Sequence, residues 1–171
     1  MELRKKLVGL VTFVFLAIIL GSQTGAAQQI RSRSKLLESL TTKAGVLKLI
    51  RIDDYDISET NWLVLLNGKR LYRTQDDVFG SVRFHTVFKG LTSRDAVLMQ
   101  ETFNPEGLSE FRIIDLPANG RATIGERFGI FVPPFEPLIT QEGKQITFSF
   151  VRKPGTKPDT WVYQNGVLTK Q

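Results

Sequence analysis

The sequence predicts an all-β fold: a single antiparallel β-sandwich or small barrel of about eight strands, preceded by an N-terminal apolar signal or anchor helix. Three observations carry this. Ser81 to Lys89 and Gln145 to Val151 alternate apolar and polar side chains, the period of a half-buried strand. Asn-Gly stands at 67–68, 119–120 and 165–166, at the ends of apolar runs, where it favours tight turns. After residue 43 no stretch holds a helical period, and Gly, Pro and Asn break the chain every 8–14 residues or so.

In chain order, Arg4, Lys5 and Lys6 precede the apolar run Leu7–Leu20. As a helix this run reaches roughly 21 Å, at about 1.5 Å per residue. That is short of the roughly 30 Å hydrocarbon core and suits a secretory signal. Small residues follow, so that cleavage after Ala26 or Ala27 is expected. The alternative is an uncleaved anchor with 7–20 in the membrane and the basic tip in the cytoplasm. Either way residues 1–27 place the rest outside the cytoplasm, periplasmic or secreted in the first case and inner-membrane anchored in the second. A chain without cysteine has no lipid-modified cysteine, disulfide, thiol chemistry or cysteine zinc site.

Beyond the leader stand 144 residues, one domain's worth. They carry 20 Lys+Arg against 16 Asp+Glu, a mild excess. It reads first as a mixed solvated surface, with an anionic membrane surface or another acidic envelope polymer as the alternative partner. Nucleic acid is disfavoured, since no basic stripe interleaved with aromatics exists. Residues 28–45 read as a polar tether, with Leu36, Leu37 and Leu40 spaced for one or two helical turns. The β domain is expected over 46–171. Val46–Ile52 and Asn61–Leu66 are strands around a polar loop, and Asn67-Gly68 turns the second into Lys69–Arg73. In Ser81–Lys89, Val82, Phe84, Thr86 and Phe88 face one way, and Arg83, His85, Val87 and Lys89 the other. Ala96–Thr102 and Phe111–Leu116 follow as strands, then an irregular, glycine-broken stretch over 121–132. Pro133, Pro134 and Pro137 exclude a central strand. Gln145–Val151 puts Ile146, Phe148 and Phe150 on one face, and a hairpin about Asn165-Gly166 closes the domain.

Three fragments resemble small exported bacterial β-domain proteins of unassigned activity. They are Leu63–Lys69; Asp95–Gln100 with Phe111–Asp115; and Phe128-Gly129 with Leu138–Gly143 and Tyr163–Gly166. The resemblance spans roughly two thirds of the chain and implies export and a β domain, without an activity.

No motif supplies a nucleophile and base, a cofactor site or a metal site. His85 is the single histidine, expected on the exposed face of its strand, and no Gly-x-Ser-x-Gly elbow accompanies it. Asp53, Asp54, Asp56 and Glu59 are dense enough for Ca²⁺ but lack the EF-hand spacing, and read as a solvated loop. A glycosidase needs two carboxylates facing each other across roughly 5–10 Å. Glu101 and Asp115, both near strand ends, are a candidate pair, one among many that 16 acids allow. Phe131, Pro133, Pro134, Phe135 and Pro137 form a Pro-x-x-Pro loop that either docks a partner or plugs the end of the core with its aromatics. The expected function is therefore non-catalytic: binding to, or assembly with, another envelope component. The alternatives are an envelope hydrolase using the carboxylate pair and a carrier of an apolar ligand inside a phenylalanine-lined cavity.

Overall fold

A computed structural model describes residues 32–55, 59–74, 79–103, 107–133 and 135–171. The leader helix, Ala26, Ala27, Asp56 and Pro134 lie outside the described residues. The described residues form thirteen strands and no helix. The strands are β1 (Ser32–Thr42), β2 (Gly45–Asp54), β3 (Glu59–Leu66), β4 (Lys69–Arg73), β5 (Phe79–Leu91), β6 (Arg94–Phe103) and β7 (Ser109–Pro117). Then follow β8 (Thr123–Ile124), β9 (Phe128–Phe131), β10 (Leu138–Glu142), β11 (Gln145–Phe150), β12 (Asp159–Gln164) and β13 (Val167–Lys170). All pair antiparallel, in three meandering sheets ordered β1-β2-β3-β4, β5-β6-β7-β8 with β9 also on β7, and β10-β11-β12-β13. Each sheet keeps open edges, so the architecture is sandwich-like and not a closed barrel.

The second sheet is the middle layer. One core joins it to the first sheet through Leu47, Leu49, Trp62, Val64, Val82, Phe84, Val97, Met99, Ile114 and Leu116. The other joins it to the third through Phe88, Ala96, Leu98, Phe111, Ile113, Phe128, Ile146, Phe148, Phe150 and Tyr163. Strand β6 lies between β5 and β7 and sends Val97 and Met99 to the first core, Ala96 and Leu98 to the second. That is why its sequence is a continuous apolar run and not an alternation. In the second core Phe111 and Phe150 stand 5.3 Å apart, as do Phe128 and Phe148, with Phe128 5.5 Å from Trp161. These rings pack on one another, so the phenylalanines at strand spacing are core.

Three expectations are corrected. The β domain starts at Ser32, not at residue 46, because 32–42 is the edge strand β1 and neither a tether nor a helical turn. An edge strand in contact with solvent on most of its length needs little apolar alternation, and a bulge between Leu36 and Glu38 breaks what there is. Thirteen strands stand where about eight were expected, since short β8 and β9 occupy the glycine-broken stretch and β10 precedes the 145–150 strand. Finally, the register of β5 shifts between Phe84 and Thr86. Phe84 and Val87 face the first core and Phe88 the second, because one extra residue in a strand exchanges the faces of all that follow.

The Asn67-Gly68 hairpin forms as expected, with φ of 51° and 78°. Asn67 also closes the neighbouring turn: its Oδ1 accepts from Val46 N at 2.9 Å and its Nδ2 donates to the Ala44 carbonyl at 2.9 Å.

Candidate functional site

Several of the buried polar groups link two sheets, while others, such as Gln100 and Ser109 on β6 and β7, bond within one sheet. Glu101, 0% exposed, faces the first sheet and accepts from Tyr72 Oη at 2.8 Å, Arg112 Nε at 3.2 Å and Arg127 Nε at 2.8 Å. The Arg112 guanidinium also lies 5.1 Å over the Tyr72 ring. Burial, then the Glu101 charge, hold the Tyr72 hydroxyl above its ordinary range, so it remains a donor. Asp95 faces the same way and accepts from Lys43 N at 2.8 Å, while Glu38 accepts from Phe84 N at 3.0 Å. Toward the third sheet, Asp115 accepts from Tyr163 Oη at 2.6 Å and from Arg94 Nη1 at 3.0 and 3.2 Å. Burial and this carboxylate push the Tyr163 hydroxyl far up.

Glu101 and Asp115 do not converge. Asp115 pairs with Ala96, five positions from Glu101 on β6. Five is odd, so the two carboxylates lie on opposite faces of the middle sheet, and the offset along the strand alone is about 17 Å at 3.4 Å per residue. The carboxylate-pair expectation is overturned by this parity.

His85 sits in the β5 bulge and is half-buried, not exposed as expected. Its ring meets the edge of Phe111 at 5.7 Å, and Nδ1 lies 2.8 Å from Thr86 Oγ1. Burial, then the Arg83 charge, hold it below the usual 6.5, with Glu136 opposing. The unfolded chain therefore takes up the proton first. Stability from this group is complete above pH 6.5 and falls as the pH drops from 6.5 through the lower folded value. In His85→Phe this part of the pH dependence is expected to vanish. Urea midpoints of both proteins at about pH 5 and about pH 7.5 measure it, and equal slopes sink the idea.

Of the acidic loop, Asp53 is tied to its own ribbon by Arg51 Nε at 2.7 Å and Thr60 Oγ1 at 3.1 Å, and is held below the carboxylate range mainly by the Arg51 bond. In the Pro-x-x-Pro segment Phe131 ends β9 and packs against the second core, Phe135 and Pro137 are half-buried, and Pro133 is exposed. A depression of about 380 Å³ lies beside Asp115, Trp161 and Tyr163, where the Asp115 carboxylate is already engaged.

An open site of mixed polar and apolar lining lies elsewhere, where edge strand β4 of the first sheet faces short β8 of the second. A groove of about 630 Å³ runs there, within the usual range for small-molecule sites. Lys69, Arg70 and Arg121 line it, and all three are exposed. Its floor is Leu66, Leu71, Ala122 and Ile124, the rim of the first core. No carboxylate is among the lining residues, and none of the three cations makes an ion pair among the described residues. The positive potential of such a cleft is focused by its apolar floor and favours an anion. Sequence reasoning misses these cations because they come from the start of β4 and from the β7–β8 connection, about fifty residues apart. The only local trace is Lys69-Arg70 directly after a hairpin turn.

Comparison of the chain with protein-family models, with curated proteins and with solved structures finds no match.

Proposed function

We propose that the chain is an exported, non-catalytic envelope protein that binds an anionic, partly apolar component in the groove between β4 and β8. The observation that carries this is the groove itself: three cations around an apolar floor, with no carboxylate among its lining residues. The basic tip and apolar run of residues 4–20 support export. The engagement of Glu101 and Asp115 in links between sheets supports binding over hydrolysis.

Calorimetry with dodecyl phosphate, inorganic phosphate and dodecyl maltoside, each below its micelle threshold, tests it. Dodecyl phosphate is expected to bind best, since it alone offers both an anion and a chain. The double variant Arg70→Glu, Arg121→Glu is expected to weaken it about tenfold or more, because two exposed cations that attract the anion become carboxylates that repel it. Equal binding of the maltoside, or indifference to the double variant, would sink the proposal. Preference for inorganic phosphate would assign the groove to a free anion and remove the apolar part.

A further inference from the structure

The outer face of the first sheet carries a separate feature. Leu36 pairs with Ile50 and Ile50 with Leu63, an apolar row across three strands. Ile52 stands in the row on one side, with Ser34 and Asn61, and Leu65 in the row on the other, with Ser39 and Lys48. These five apolar residues belong to neither core. Their chain neighbours Leu47, Leu49, Trp62 and Val64 point inward and are at most 4% exposed, whereas Leu36 is 52% exposed and Ile50, Ile52, Leu63 and Leu65 are half-buried, with Asn61 beside them buried. A solvated outer face normally carries polar residues at these positions.

Charge surrounds the row unevenly. Lys48 neighbours Leu65, Arg70 pairs with Leu65, and Arg73 pairs with Leu63. The acids of this face, Asp54 and Glu59, sit together at the far end of β2 and β3. An apolar centre with cations along one side fits the boundary of an anionic bilayer, where apolar side chains enter the acyl edge and cations meet head groups. The length of chain before β1 agrees with this. Ser32 begins β1 opposite Asp54, and eleven residues separate it from Leu20. They span at most about 38 Å, so a 7–20 segment held in a membrane keeps the first sheet within reach of the same surface.

We propose that the outer face of the first sheet docks on an anionic lipid bilayer, with Leu36, Ile50 and Leu63 at the acyl boundary and Lys48, Arg70 and Arg73 on the head groups. The proposal does not rest on ligand binding in the groove, although Arg70 borders both. Its test therefore reads position 36.

The chain has no cysteine, so a single introduced one takes an environment-sensitive fluorophore uniquely. Full chains with Leu36→Cys or, on the third sheet, Val167→Cys are reconstituted with vesicles of phosphatidylglycerol and phosphatidylcholine or of phosphatidylcholine alone. Both sites are exposed, at 52% and 59%, so the substitutions leave the fold intact. The fluorophore at 36 is expected to brighten at least about twofold and to be quenched by spin-labelled lipid in the anionic vesicles, with little response in neutral ones. At 167 no change is expected. Adding Lys48→Glu and Arg73→Glu to Leu36→Cys is expected to abolish the response. Equal quenching at 36 and 167, or none at 36 in a chain that co-floats with the vesicles, overturns the proposal. So does a response at 36 that grows with protein concentration without lipid, which would mean a second copy covers the face.

Discussion

Glu101→Ala is expected to destabilise the domain by about 3–5 kcal/mol, the cost of removing one member of a buried ion pair. The carboxylate is 0% exposed and satisfies Tyr72, Arg112 and Arg127 at once. Removing it leaves two guanidinium groups side by side, with side chains only 16% and 31% exposed, and a half-buried phenol without its acceptor. Against a total stability of about 5–15 kcal/mol, this is a large fraction. With a urea m-value of about 1–3 kcal/mol/M, the midpoint falls by about 1 M or more. Two companions separate the contributions. Tyr72→Phe removes one hydrogen bond and is expected to cost about 0.5–1.5 kcal/mol. Glu101→Gln keeps the shape and loses the charge, so it stays near the alanine variant if the two arginines set the cost. A loss below about 1 kcal/mol in Glu101→Ala would show that the cluster relaxes into solvent and does not fasten the first sheet to the second.

The same cluster shows what a sequence displays and what it conceals. The turn at Asn67-Gly68 is legible because positive φ is a local demand that few residue pairs meet. The second task of Asn67, bonding Val46 and Ala44, is set by tertiary contact and leaves no local mark. Strand β11 is legible because only one of its faces is buried, so Ile146, Phe148 and Phe150 alternate with polar residues. Strand β6 is legible as a strand, yet its continuous apolar run does not announce that it is the centre of a middle layer. Strand β1 is hidden because an exposed edge makes small demands on its side chains. In β5 the letters alternate straight through His85 while the backbone bulges there, so the faces of Thr86, Val87 and Phe88 are the reverse of what simple alternation predicts. For Glu101 and Asp115 the missing quantity is register: without knowing that Asp115 faces Ala96, no parity argument is available. The groove needs three-dimensional assembly, since Arg121 meets Lys69 and Arg70 only when two sheet edges align.

Gly129→Ala is expected to cost about 2–5 kcal/mol through two separable effects. Gly129 has φ of 60° and lies where β9 slips its register against β7, between the pairs Glu110–Ile130 and Phe111–Phe128. A left-handed conformation penalises any residue with a Cβ by about 1–2 kcal/mol. The added Cβ would also fall within the ring of Phe150, which is 2% exposed and packed against Phe111 and Phe128. Forcing a ring aside in a filled core costs about 1–3 kcal/mol more. Gly143 supplies the control. Its φ is 57°, but a Cβ there meets nothing within 4 Å, so Gly143→Ala carries the conformational cost alone. The difference between the two variants in urea unfolding measures the ring contact. Phe150→Leu placed in both backgrounds is expected to shrink that difference, because a smaller side chain vacates the space. If the two glycine variants are equally stable, the Phe150 ring swings aside at no cost and the second core is looser than its ring contacts indicate. If Gly129→Ala is the costlier, a single backbone atom beside Phe150 sets how closely the third sheet approaches the second.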